Sequence, residues 1–395
     1  MVQFRRIFYP TRLFAPPLTA GNPQHCAAVT PAQRLLPDEP DTDNSESDFP
    51  EQGWRLFTEK DAQSPIQRSL YVHEQGISLL KEGERLLVTG KHDAVRASIP
   101  LHTLDQIVIY GNALVSTALL RYCHQRKLAV HFHSWHGEPA GSLDLPRGAT
   151  ELQANQFERL QNERWQHNFA RAHVIAKIHN MLTLLQRYRR SKQLGELEQH
   201  ARILLQMKDQ AREARSLDQL RGCEGMATRA YFQLLRQQFP PEWGFAGRNR
   251  QPPRDVGNAV LSYGYGILYR MVWSFISRRG LSPWLGALHV PKAGFAALAA
   301  DLMEEFRAPL VDSVILQLAN SGVRPIELLE PGSETRLSVA GRKQIVAAIE
   351  ARLRVPIQLP GAGRGDYQRL IAWQVRHYAD VLLGRDVAYS GFHWR

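Results

Sequence analysis

Between Leu152 and Arg190 there is no glycine or proline, and apolar residues recur at Phe169, Ala172, Ala176, Met181 and Leu185. So long a stretch without a breaker, apolar at helical spacing, predicts helix. The residues before it follow a different pattern. Short β-rich runs at 70–73, 77–80, 85–89 and 95–99 are separated by Glu74-Gln-Gly, Glu82-Gly-Glu and Gly90-Lys-His-Asp, which are turn signals. Runs at 106–110, closed by Gly111-Asn112, and at 129–133 continue the series, while 113–127 has helical spacing with Leu114, Ala118 and Tyr122 on one face. The change of period predicts an α+β chain: a mostly-β domain with one helix over 66–146, then an all-α domain over 147–395. Further helices are expected at 224–238, 255–278, 295–307, 342–352 and 367–383, with Pro240-Pro241 and Gly280 with Pro283 as stops.

Residues 1–65 fit neither pattern. Pro10, Pro16, Pro17, Pro23, Pro31, Pro37 and Pro40 punctuate them, and from Asp38 to Glu51 there are seven acidic residues and no basic one. Such a segment buries too little apolar surface to offset its ordering entropy. It is expected to be an extension or linker, partly disordered. The prolines also interrupt any apolar run after the basic start, which argues against a signal peptide. No apolar run is long enough to span a bilayer, so a cytoplasmic protein without membrane contact is expected.

The chain of 395 residues carries 49 Lys and Arg against 38 Asp and Glu, a net charge of +11. That balance favours a polyanionic partner, though by itself it is a weak guide. Between Arg187 and Arg254 the bias sharpens to fourteen basic against seven acidic residues, with a stiff basic loop at Gly247-Arg-Asn-Arg-Gln-Pro-Pro-Arg254. Arginine forks suit phosphate oxygens, although solvated helix faces explain such a count equally well. Cys26, Cys123 and Cys223 are scattered and odd in number, so neither a zinc ribbon nor a disulfide framework is indicated.

Against this basic background a few acidic residues and one histidine stand out. Glu224 follows Arg221-Gly-Cys, His289 ends the turn-like run from Ser282, and Asp301, Glu304 and Glu305 lie on the stretch 295–307. A carboxylate, an imidazole and a carboxylate pair can build a divalent-metal site, and oxygen ligands with one nitrogen suit Mg²⁺ or Mn²⁺. Each signal is weak alone. Asp301 and Glu304 are three apart, off the stripe of Phe295, Leu298, Ala299, Leu302 and Phe306, and such a pair is usually a solvated helix face. Glu224 could simply favour a helix dipole. A rival set, His131, His133 and His136, lacks a completing ligand other than Glu138 and reads better as packed or surface histidines.

The order of motifs says more than any one of them. Cys223-Glu-Gly225 with Tyr231-Phe232, the run 245–265 from Phe-Ala-Gly-Arg through Pro252-Pro253 to Tyr265, Gly286-Ala-Leu-His289, and Asp301-Leu-Met-Glu-Glu-Phe-Arg307 closely resemble the CRISPR-associated protein one family. Val108-Ile-Tyr-Gly-Asn112 and Ala176-Lys-Ile-His-Asn180 look like that family too. The resemblance runs from about residue 66 to the C-terminus. It implies an adaptation endonuclease-integrase that inserts spacer DNA into a CRISPR array, with Glu224, His289 and Glu304 as ligands of a Mg²⁺ or Mn²⁺ ion and Asp301 as a further, supporting acidic residue of the catalytic set, close to the metal. Asn258 and Ser262 would be supporting residues, and Glu305 a neighbour. A metal would polarise the target phosphate while a DNA 3′-hydroxyl attacks, and water in its place would give hydrolysis. The resemblance also implies double-stranded DNA as partner, a homodimer and a complex with CRISPR-associated protein two. The same residues leave two alternatives: a structure-specific nuclease of repair or recombination, and a non-catalytic DNA-binding subunit.

Overall fold

The structure, a computed structural model, describes residues 68–394 apart from 91–93, 135–138, 144–149, 188–193, 250–251 and 360–362. The acidic extension, His136 and Glu138, and Arg250 of the basic loop lie outside the described residues.

The strand-rich region comes first. β1 (Arg68–Val72), β2 (Ile77–Glu82), β3 (Arg85–Thr89), β4 (Val95–Pro100), β5 (Leu104–Tyr110), β6 (Ala113–Val115), β7 (Ala129–His133) and β8 (Pro139–Leu143) surround one helix, α1 (Thr117–Arg126). They form two four-stranded sheets, β1-β5-β7-β8 and β4-β3-β2-β6. In the first, β5 is parallel to β1 and β7, and β8 returns antiparallel. In the second, β2, β3 and β4 form a meander with β6 parallel on the edge. The alternation in β2 buries Ile77 and Leu79 against Val72, Leu86 and Ile107 in one apolar cluster.

One helix expectation needs correction here. Residues 113–115 are not helical. They pair with Ile77–Leu79 as β6, and Leu114 is 62% exposed. The helix starts after Ser116, whose hydroxyl accepts from the Leu119 amide at 3.3 Å and sets the N-terminus.

The helical region follows: α2 (Thr150–Gln161), α3 (Glu163–Arg187), α4 (Leu194–Glu213), α5 (Leu217–Leu235), α6 (Val256–Arg279), α7 (Ala297–Met303), α8 (Ser313–Ala319), α9 (Pro325–Leu328), α10 (Val339–Leu353) and α11 (Tyr367–Leu382). The breaker-free stretch is two helices rather than one. Asn162 interrupts it, its side-chain oxygen accepting from the Arg164 and Trp165 amides at 3.0 and 3.3 Å. Composition gives no such warning, because the interruption needs only one capping side chain. Sequence reading also passed over α4 and the hairpin β9 (Pro356–Leu359) with β10 (Gly363–Asp366).

Helix α6 is the axis of this region. Asp255 caps its start, accepting from the Asn258 amide at 2.7 Å, and Gly280 at φ 93° ends it in the left-handed conformation. It is buried on nearly every side, packing on α7 and α11, and it reaches the first sheet through β5 and β7. At that junction Tyr110 is stacked between His73 and His133, at ring distances of 4.3 and 5.4 Å. Its hydroxyl accepts from Arg270 at 3.1 Å, and His131 meets the Trp273 ring edge-on at 5.7 Å. His131 and His133 are thus packed histidines. Among the described residues no helix is long and apolar enough to cross a membrane.

Candidate active site

The expected helix over 295–307 is three conformations in series. α7 ends at Met303, Glu304–Phe306 is a 3₁₀ turn, and Arg307–Asp312 is a π-helix that leads into α8. Asp301 and Glu304 are not a solvated face. They are 0% and 5% exposed, because α3 and the loop before α7 cover the side that the apolar stripe leaves polar. A helix buried all round is where a buried carboxylate must find partners, and both do.

Asp301 serves the loop that carries His289. Its carboxylate accepts from the amides of Ala287, Leu288 and His289, at 2.5, 3.0 and 3.0 Å, and meets His289 Nδ1 at 2.6 Å. From the other side Arg221 of α5 donates to the Leu288 carbonyl through Nε and Nη2, at 3.1 and 3.0 Å. The histidine is therefore fixed through one ring nitrogen, with a backbone held on both flanks. Burial pushes its pKa down, but the Asp301 bond and charge and the Glu304 carboxylate outweigh that and leave it raised. Gly286 makes the close approach possible: a Cβ there would lie 2.7 Å from both the Ala297 backbone and Asp301 Oδ2.

Glu304 and Glu224 meet on a single cation. Lys177, on α3 and 2% exposed, donates from Nζ to Glu304 Oε2 at 2.7 Å and also to Glu224 Oε1. Arg307 holds both oxygens of Glu304, at 2.9 and 3.1 Å, and Thr228 donates to Glu224 at 2.9 Å. Burial opposes ionisation of Glu304, yet Arg307, then Lys177 and His289, hold its carboxyl far below the usual range. Glu224 is also lowered: burial and Glu304 oppose its charge, and Lys177 prevails.

Arg307 connects this pair to the basic loop. Its guanidinium lies 4.1 Å from the Tyr265 ring centroid, and that of Arg248 lies 5.3 Å from the same ring. Tyr265 and Tyr231 donate to buried Asp312, at 2.5 and 2.6 Å. Asn258 and Ser262 support the loop. Arg248 donates to Asn258 Oδ1 at 2.8 Å and Ser262 Oγ at 3.0 Å, while Asn258 donates to the Gly247 carbonyl at 2.8 Å.

Three comparisons bear on what this arrangement belongs to. The family model described as CRISPR associated protein Cas1 matches residues 70–351. The chain belongs to the Cas1 family. CRISPR-associated endonuclease Cas1 3 of Thermus thermophilus is 35% identical over 327 residues, 82% of this chain and 96% of that protein. A Cas4 exonuclease/Cas1 endonuclease fusion of Geobacter sulfurreducens is 32% identical over 82% of this chain, which spans 60% of the fusion. Among solved structures, a casposase bound to integration product has a TM-score of 0.71 at 20% identity, covering 83% of this chain and 95% of that one. A Cas1 protein from Thermotoga maritima has a TM-score of 0.69 at 23% identity, covering 82% and 100%. These two likenesses establish the fold, a strand-rich region followed by a helical one.

Of the residues the resemblance selects in this Cas1 chain, Glu224 and Glu304 converge on Lys177, and His289 is paired with Asp301 within electrostatic range of Glu304. Among the described residues no three His, Cys, Asp or Glu side chains close into a coordination shell, since Lys177 stands between the carboxylates. The donor chemistry nevertheless fits a hard divalent ion: two ionised carboxylates directed at one cation, and an imidazole anchored through Nδ1. Sequence reasoning missed Lys177 and Arg307 as partners of the pair. Lys177 is visible only as one residue of the Ala176–Asn180 run, and Arg307 only as the last residue of the Asp301–Arg307 run, three after Glu304.

Proposed function

We propose that this Cas1 protein is a metal-dependent DNA endonuclease and integrase that inserts spacer DNA into a CRISPR array by 3′-hydroxyl attack on repeat phosphodiesters. The observation that carries the reading is the convergence of Glu224 and Glu304, from separate elements, on one cation position linked through Arg307 and Tyr265 to the basic loop. Glu224, His289 and Glu304 would hold Mg²⁺ or Mn²⁺. When bound, the ion would supply Lewis acidity toward a phosphate oxygen. The chain's own residues do the rest. Asp301 orients His289 and keeps its Nδ1 engaged, Arg307 and Thr228 fix the carboxylates, and Arg248, held by Asn258 and Ser262, adds positive charge beside the site that would attract the DNA backbone.

Double-stranded DNA, both spacer precursor and repeat, is the proposed substrate. The partners are a second copy of the chain and CRISPR-associated protein two. The endonuclease names of the curated relatives support the activity. A fold shared with a casposase bound to integration product and with a Cas6-RT-Cas1–Cas2 complex, the latter at a TM-score of 0.72, supports the strand-transfer reaction and the partner. The test is strand transfer of a DNA fragment into a repeat-bearing plasmid with Mg²⁺ or Mn²⁺. Glu224→Ala and His289→Ala are expected to abolish transfer and retain fragment binding. Undiminished transfer by either variant would refute the site. Activity on branched DNA alone would favour a repair nuclease, and no turnover on any DNA a binding subunit.

A further inference from the structure

We infer that the Lys177 ammonium is the built-in counter-cation of the Glu224–Glu304 pair, and that a divalent ion binds there by displacing it. The inference rests on the metal-dependent reading of this site.

Two ionised carboxylates brought together in a desolvated place repel each other unless a cation lies between them. Lys177 fills that need. Its side chain is 2% exposed, it carries three donors and no acceptor, and two of its contacts are these two carboxylates. The ammonium lies 2.7 Å from Glu304 Oε2 and donates to Glu224 Oε1 as well, so it sits on one oxygen of each carboxylate. It therefore occupies the place that a hard ion would take, on lone pairs that the ion would need.

The carboxylates do not depend on Lys177 for their aim. Arg307 grips both oxygens of Glu304, and Thr228 holds Glu224. When the ammonium leaves, the pair remains pointed at the vacated position. Lysine suits this role better than arginine, because a point charge on a flexible stem releases two oxygens without breaking a bidentate fork. The displaced group departs toward the Glu224 side, where that residue is 25% exposed and the other partner, Glu304, is only 5% exposed. Metal affinity is thus the outcome of a competition inside the chain, lowered by the stability of the lysine-filled state.

The experiment is Mn²⁺ titration by calorimetry on the full-length wild type and on Lys177→Met, which keeps the unbranched stem and removes the charged end group. Lys177→Met is expected to bind Mn²⁺ about tenfold tighter or more, as removal of a competing state requires. Its metal-free form is expected to melt lower than the wild type and to gain more from Mn²⁺. Equal or weaker Mn²⁺ binding by the variant would overturn the proposal and make Lys177 an orienting partner of the carboxylates. Should the variant fail to fold, acylation of Lys177 in the wild type, read by mass spectrometry, decides. Labelling that rises with Mn²⁺ supports displacement, and labelling that stays constant overturns it. Absence of Mn²⁺ binding by the wild type would instead defeat the metal-dependent reading itself, a result distinct from equal binding by both proteins.

Discussion

Glu304 and Glu305, consecutive in the chain and both buried, send their carboxylates to separate sets of partners. Glu304 is held by Lys177 and Arg307. Glu305 accepts from Tyr389 at 2.6 Å, from Gln374 at 2.7 Å and from the Phe392 amide at 2.8 Å, and it meets His173 Nδ1 at 2.8 Å. The 3₁₀ turn that contains both residues allows this, since neighbours on so tight a helix leave it about 120° apart. One carboxylate faces the candidate chemistry, and the next fastens the C-terminal segment onto α3 and α11. Asn180 completes the fastening, donating to the Phe392 carbonyl at 2.9 Å and accepting from the Trp394 amide at 2.7 Å.

Glu305→Ala should therefore act through stability. It leaves several buried donors without their acceptor, at a cost of about 1–3 kcal/mol for each one left unsatisfied. Tyr389→Phe removes the hydroxyl's bond to Glu305 and the longer one it accepts from Gln374, and should cost about 1–2 kcal/mol while keeping strand transfer. Urea unfolding of both variants, beside their activity, measures the difference. A neutral Glu305→Ala would mean that the C-terminal segment is not held this way.

Gly286→Ala should damage the site without touching a polar side chain. The added Cβ would meet the Ala297 backbone and Asp301 Oδ2 at 2.7 Å, and the backbone of α7 cannot give way cheaply. We expect a loss of about 1–3 kcal/mol from overpacking and displacement of the His289 loop, read as a fall in strand transfer larger than the fall in DNA affinity. Wild-type activity in the folded variant would show that the loop has slack.

Acid should weaken the junction between the strands and the helices. His73 and His131 both titrate at about 3 in the folded chain. Burial is the main cause for each, reinforced by Arg342, Lys343 and Arg270 for His73 and by Arg270 and His133 for His131. The unfolded chain takes up protons below about pH 6.5 that the folded chain refuses, so stability is full above that value and falls as pH drops toward 3. By about pH 5 each histidine costs about 2 kcal/mol. His131→Phe should remove one share and flatten the acid limb, as measured by urea unfolding near neutral pH and at about pH 5. An unchanged slope would place the acid sensitivity elsewhere.

Asn258→Ala should loosen the basic loop. The side chain accepts from the Asn249 amide at 2.9 Å and from Arg248, and donates to Gly247 and Asp255. Its loss should cost about 1–3 kcal/mol and weaken DNA binding, with a shallower salt dependence if Arg248 no longer reaches a phosphate. DNA affinity across a salt series tests this, and an unaltered slope would remove Arg248 from the contact.

The α+β class was legible because strand and helix periods differ, and turn signals between 70 and 110 separated the strands correctly. Local grammar failed where one side chain or one pairing decided the outcome. Asn162 split the long helix, and pairing with β2 turned 113–115 into a strand. The ordered motifs identified the family and selected Glu224, His289, Asp301 and Glu304, although spacing alone favoured a solvated face for the last two.

By itself, then, the sequence determined the class of fold and the family, and it singled out the acidic and histidine candidates, because these are carried by periodicity and by the order of short motifs along the chain. Only the tertiary structure decided that Asp301 orients His289, that Lys177 lies between Glu224 and Glu304, and that Glu305 fastens the C-terminal segment. The reason is physical: buried charges choose partners by proximity after packing, and 127 residues separate Lys177 from Glu304 along the chain. No local pattern encodes a meeting at that distance.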